Sequence, residues 1–169
     1  MENVYAPWRE EYVSNIKSIK GCVFCHGSKT DDADDELGIL YKDELCFVVM
    51  NKYPYAPGHF MVIPHTHVEN LEDLPKDVWK HMNELAYEGV KLIKEVVNAQ
   101  GVNIGINLGQ AAGAGIAEHL HLHLVPRWGR DTNFMTSIAG QRVYSSDFSR
   151  IYKEMKSKAQ ECFLNKCKS

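Results

Sequence analysis

What this chain lacks narrows it first. Its five cysteines, at positions 22, 25, 46, 162 and 167, are an odd number, so a disulfide framework is not expected. Disulfides also need an oxidising compartment, and residues 1–9, with Glu2 and no hydrophobic segment, do not make an export signal. Metal binding or simple burial is the better reading of the thiols. No apolar run approaches the ~18 residues that a membrane helix requires, so no membrane span is expected and the protein is placed in the cytoplasm. Neither sign of charge dominates. A formal net charge of −3 argues against a general nucleic-acid surface, although a small anionic ligand needs only a local positive cluster. No internal repeat and no second core are visible.

What is present is ordinary for one soluble domain over residues 1–169: 44% hydrophobic and 24% charged residues, enough to bury a real core. Residues 1–36 form an N-terminal segment, in which Trp8 is followed by Tyr12, Val13, Ile16 and Ile19 at the spacing of a short amphipathic helix. Residues 28–36, with Asp31, Asp32, Asp34, Asp35 and Glu36, read as a solvated, mobile loop. They lack the glycine and terminal glutamate spacing of a calcium loop. Strands are expected at 37–41 and 45–50, joined by a hairpin at 42–44, and at 59–64, after a loop that holds Pro54 and Pro57. Pro75 marks a helix start, and Val78, Met82, Leu85, Ala86, Val90, Ile93 and Val97 form one apolar stripe to about residue 98. A fourth strand at 102–108 and a fifth at the histidine run complete a core at 37–135. A helix at 145–169 follows, with Phe148, Ile151, Tyr152, Met155, Ala159, Cys162 and Phe163 on one side. The order of elements gives an α+β domain with a mainly antiparallel sheet of about five strands, a long helix and a C-terminal helix.

The chemistry concentrates in Glu118-His119-Leu120-His121-Leu122-His123-Leu124-Val125-Pro126-Arg127. On a strand, side chains alternate between faces, so the three histidines share one face and the three leucines the other. Such a face can be a wet edge strand, a metal centre using two imidazoles one residue apart, or a nucleophile, because imidazole is largely neutral near pH 7 and attacks phosphorus. The preceding run, Gly109-Gln110-Ala111-Ala112-Gly113-Ala114-Gly115, offers backbone N–H groups as a cradle for phosphate oxygens. It is not a dinucleotide loop, since a strand rather than a helix follows, and it lacks the Lys-Ser or Lys-Thr of a P-loop. Cys22-x-x-Cys25 is a zinc half-site that needs two further ligands.

The run His119-Leu-His121-Leu-His123-Leu-Val125 resembles the signature of the histidine triad (HIT) family of nucleotide hydrolases and transferases. Asn51-Lys-Tyr-Pro-Tyr-Ala-Pro57-Gly58-His59 resembles that family's nucleoside-binding loop and strand, and the likeness runs from about Trp8 to Phe134. Residues 112–116 and 125–134 are most similar to the bacterial branch of diadenosine tetraphosphate phosphorylases and hydrolases. The resemblance implies the HIT fold and two-step cleavage of a dinucleoside polyphosphate at an α-phosphate. His121 would be the nucleophile, its other ring nitrogen held by a backbone carbonyl, and water or phosphate would resolve the nucleotidyl-His121 intermediate. It implies that His123 contacts the phosphate, Asn51 the ribose and Asn107 the phosphate, and that His59 lies near the nucleotide. In the glycine bend that holds Gly113, it implies that Gly115 and Ile116 donate backbone N–H groups. Here the chain departs from better-studied branches, which often carry Gln, Ser or Thr where Gly115, Ile116 and Ala117 stand, so the proton donor to the leaving group falls to water, His119 or a neighbour. Phe47, Val49 and Ile63 would sandwich the base or serve as plain core, and Arg127 and Arg130 would fork onto polyphosphate. Related proteins close the zinc site with residues matching His67 and His119, His65 and His26 being possible substitutes. No organic cofactor is implied, and a homodimer is. The nearest rival is an adenosine phosphoramidate hydrolase; a rival of another class is a nucleotide-binding or interaction protein without turnover.

Overall fold

The computed structural model describes residues 21–29, 37–129, 131 and 147–164. The N-terminal amphipathic helix, most of the acidic run, Arg130, Phe134 and Cys167 lie outside the described residues. Eight principal elements follow in order: α1 (Val23–Lys29), β1 (Ile39–Lys42), β2 (Cys46–Met50), β3 (Phe60–Pro64), α2 (Lys76–Val97), β4 (Gly101–Gly105), β5 (Leu122–Arg127) and α3 (Phe148–Leu164). The strands form one sheet in the order β1-β2-β3-β5-β4, every neighbour antiparallel. This is the α+β architecture expected from the order of elements.

Local chemistry fixes the turns. Between β1 and β2 the Asp43 carboxylate accepts from the N–H groups of Leu45 and Cys46, both at 2.9 Å, an aspartate-anchored turn. Residue 98, an asparagine at φ 50°, ends α2 in the left-handed conformation.

β2 and β3 are buried at every position, so their apolar runs are continuous because both sheet faces are covered. On one face Val48, Phe60, Val62, Leu122 and Leu124 pack under α2 and α3. The approach of α2 is closest at Gly89, where an added Cβ would stand 2.9 Å from the Phe60 ring and 3.0 Å from Leu124. On the other face Phe24, Ile39, Phe47, Val49, Met61 and Ile63 form a second cluster. Met61 pairs with His123 in register, so the histidine face and the second cluster are one surface. α3 caps β1, with Tyr152 O–H and Lys156 Nζ both donating to the carbonyl of Ile39.

Most boundaries shift by a residue or two, and three differences bear on the site. β4 stops at Gly105, not residue 108, because its last pairing is with His123 and the chain then leaves the sheet toward Gly109 at φ 75°. For the same reason β5 starts at Leu122, and His119 and His121 precede it; that approach is tied by Leu120 N–H donating to Val68 C=O at 2.8 Å. Finally, Ser28 and Lys29 lie on a two-turn helix rather than in a loop. No helix among the described residues is long and apolar enough to cross a membrane.

Candidate active site and metal centre

Alternation survives around the strand start: Leu120, Leu122 and Leu124 enter the helix-side core, while His121 and His123 face the second cluster. His119, His121 and His123 are all buried. Hydrogen bonds to groups that can only donate or only accept determine where each ring carries its proton. His119 Nε2–H donates to the carbonyl of Pro64 at 2.9 Å, leaving Nδ1 a lone pair. His121 Nδ1–H donates to the carbonyl of His119 at 2.8 Å, leaving Nε2 a lone pair. Tyr55 N–H donates to His59 Nδ1 at 3.1 Å; His59 Nε2–H therefore donates to His123 Nδ1 at 3.0 Å. His123 is left with Nε2–H as an outward donor. The rings of His121 and His123 stand 4.8 Å apart, nearly perpendicular, so a ring bearing a lone pair and a ring bearing a hydrogen-bond donor are neighbours on one surface.

Burial keeps these rings neutral. Desolvation lowers the pKa of His121, opposed by its bond to the carbonyl of His119. Desolvation and the neighbouring His121 hold His123 down at about 4. Desolvation, then His123 and His121, holds His59 at about 3. The sign for stability follows: unfolded histidine takes up protons below about pH 6.5 while the folded ring does not. Stability from His59 is therefore full above that pH and is lost as pH falls toward 3. At 1.36 kcal/mol per unit, roughly 2 kcal/mol is gone by pH 5. Urea melts at pH 7 and pH 5 should show this loss, and His59→Gln, which can still donate to His123 but does not titrate, should shrink it.

The remaining candidates divide. Asn51 Oδ1 accepts from Tyr53 N–H at 2.9 Å, and its amide lies 3.4 Å from the His59 ring. His59 is fully buried beneath Tyr55, whose ring stacks on it at 5.0 Å; it touches His123 rather than open space. Asn107 is half-buried between β4 and the glycine bend. Gly113, at φ 90°, and Gly115 are exposed, and Ile116 packs against the second cluster. Gly115, Ile116 and Glu118 line a cleft of about 370 Å³ together with Val23, Glu69 and Gln110. Arg127 is not brought to the histidines. It lies four residues past His123, about 13 Å along a strand, with its guanidinium forked onto Asp131 and bonded to Asn103. Phe47 and Ile63 are closed to solvent in the second cluster. Phe24, whose ring meets His119 at 5.5 Å and His121 at 5.1 Å, went unnoticed in the sequence. Its place between Cys22 and Cys25 was the available signal.

Cys22 Sγ, Cys25 Sγ, His67 Nδ1 and His119 Nδ1 all lie within 4.8 Å of one another. Ligands about 2.0–2.3 Å from one tetrahedral zinc stand about 3.3–3.8 Å apart. The contacts here are 3.3 Å for Cys22–His119, 3.2 Å for Cys25–His67, 3.7 Å for Cys25–His119 and 3.2 Å for His67–His119. The chemistry of the donors also fits: the Pro64 carbonyl orients His119 as an outer partner orients a metal-bound histidine. Burial raises the Cys22 thiol pKa, against backbone N–H bonds from Cys25 and Phe24 that lower it, a cost that a cation would remove. His26, exposed on α1, and His65, bonded to Ser28 and Asp43, stand outside this group.

Comparison with known proteins bears on the family. The chain is 43% identical over 111 residues to AP-4-A phosphorylase of Mycobacterium tuberculosis, covering 66% of this chain and 57% of that one; it thus spans little more than half of that relative. It is 30% identical over 127 residues to an uncharacterized HIT-like protein of Saccharolobus solfataricus, covering 75% and 88% of the two chains. Among solved structures, a Zn-bound histidine triad family protein from Mycobacterium smegmatis superposes with a TM-score of 0.69 at 28% identity, covering 88% of this chain and 98% of that one. The HIT domain model matches residues 34–129, more than half of the sequence, and this chain belongs to the HIT domain family.

Proposed function

We propose that the protein is an enzyme that cleaves dinucleoside polyphosphates of the diadenosine tetraphosphate type at an α-phosphate, through a covalent nucleotidyl-His121 intermediate. The observation that carries this reading is the proton arrangement: a lone pair on His121 Nε2 beside a donor on His123 Nε2, each enforced from behind by a hydrogen bond. His121 Nε2 attacks phosphorus, a P–N bond forms, and the P–O bond to the departing polyphosphate breaks. His121 Nδ1–H stays on the carbonyl of His119, which accommodates the positive charge the ring acquires. His123 Nε2–H bonds a non-bridging oxygen as charge builds on it. Water or inorganic phosphate then attacks, the P–N bond breaks, and the ring is restored. The name of the Mycobacterium tuberculosis relative supports phosphate as the acceptor.

Around this pair the N–H groups of the bend at Gly113, Gly115 and Ile116 cradle phosphate, with Asn107 beside them, and Asn51 faces the ribose. His59 acts through His123. Cys22, Cys25, His67 and His119 hold one zinc, whose chemistry there is structural cross-linking of α1 to the sheet. The chain works in the cytoplasm as a homodimer, the edge strand β4, with Ile104 exposed, offering a pairing surface to a second copy. One observation favours the alternative, an adenosine phosphoramidate. Among the described residues the cleft beside the bend carries Glu69 and Glu118 and no lysine or arginine, which suits an uncharged or cationic leaving group better than a long polyanion.

Mass spectrometry of protein quenched during turnover tests the proposal, with diadenosine tetraphosphate and with adenosine phosphoramidate, each with and without phosphate. A nucleotidyl adduct on the peptide containing His121 is expected. Phosphate dependence of ADP over AMP identifies the acceptor, and relative turnover identifies the leaving group. Turnover with no adduct at any quench time would rule out the covalent route.

A further inference from the structure

The four metal-binding candidates come from three pieces of chain. Cys22 and Cys25 belong to α1 and its start; His67 follows β3 and His119 precedes β5. A helix of seven residues is far too short to hold itself together, so the placing of the two thiols depends on what ties α1 down. Phe24 enters the second cluster, and the helix lies on the Phe47 ring at Gly27, where a Cβ would stand 3.4 Å from it. At the last turn Ser28 reaches across to His65, its hydroxyl donating to Nδ1 at 2.7 Å.

His65 is itself held from every side. Its Nε2–H donates to the carbonyl of Asp43 at 2.9 Å, which makes Nδ1 the acceptor that Ser28 needs. Its backbone N–H donates to the carbonyl of Leu45, and its ring stacks on Phe47 at 5.7 Å and 17°. In sequence it lies between Pro64, whose carbonyl orients His119, and His67. Ser28 stands three residues after Cys25, on the same face of α1.

We propose that Ser28 and His65 are a positioning pair for the metal centre. Their hydrogen bond holds the thiolate half-site in register with the imidazole half-site without touching the ion or the nucleotide. This rests on the reading of Cys22, Cys25, His67 and His119 as zinc ligands. Loss of the bond frees the C-terminal turn of α1, and the change falls on metal retention.

The test is zinc content and the rate of zinc transfer to a chromophoric chelator, measured on the full chain as purified. Wild type is compared with Ser28→Ala, Ser28→Thr and His65→Phe, the last keeping the stack on Phe47. Wild type and Ser28→Thr should carry about one zinc each and release it at the same rate. Ser28→Ala and His65→Phe should release it about tenfold faster, with unchanged far-ultraviolet spectra. If wild type binds zinc and Ser28→Ala releases it no faster, the positioning role is wrong and the zinc reading stands. A wild-type protein that binds no zinc overturns both.

Discussion

Replacing His121 by asparagine should cut nucleotide cleavage by at least ~10⁴-fold, the scale on which loss of a covalent nucleophile is felt when binding and electrostatic groups remain. Asparagine keeps a donor for the carbonyl of His119, which now accepts from His121 Nδ1–H at 2.8 Å, and fills part of the space against Phe24. The fold and nucleotide binding should therefore persist while the adduct disappears. His123→Asn removes a donor and not the attacking atom, so a smaller loss, about 10²–10³-fold, is expected. The two variants separate the roles in steady-state turnover: equal losses would deny His121 its distinct part, and a His121→Asn enzyme retaining a tenth of wild-type activity would end the covalent proposal.

The order of these effects depends on proton positions, and those were the least legible part of the sequence. The alternation of His119, His121 and His123 with leucine separated an imidazole face from an apolar one, and the structure places Leu122 and Leu124 against Val62 and Phe60 as that periodicity requires. Apolar runs such as Phe60–Pro64 and the stripe along α2 gave the sheet and its covering helix for the same reason. The tautomers, in contrast, are set by the carbonyls of Pro64 and His119 and the N–H of Tyr55. Main-chain groups exist at every residue, so nothing in the letters singles these out. Arg127 illustrates a different limit. Its residue type suits phosphate, and the structure shows its guanidinium bonded to Asp131, four residues on, and to Asn103, a local pairing that leaves no sequence signature. α1 was missed because seven residues containing Gly27 carry little helical propensity of their own; packing of Phe24 and contacts at its two ends decide its conformation.

That dependence makes removal of the proposed zinc the second large effect. His119 Nδ1 and His67 Nδ1 stand 3.2 Å apart, and the carbonyl of Pro64 already takes the single ring proton of neutral His119. Cys22 and Cys25 crowd the same point. With no cation between them only thiol and ring N–H hydrogen bonds join these atoms, and α1 is held less firmly at the cysteine end. Structural zinc contributes about 10–16 kcal/mol in peptides that have no other core; this domain has one, so a smaller loss is expected, on the order of 3–5 kcal/mol, the upper range for a single lost feature such as a metal. In a chain of this size that lowers the melting temperature by about 10 °C. Cys22→Ser with Cys25→Ser, or exhaustive chelation of the wild type, should each produce the drop, and the two should not add. Activity should fall as well, because Phe24 sits on α1 and its ring packs against both His119 and His121. A double serine variant that melts with the wild type and keeps its turnover would show that the sheet positions His121 unaided.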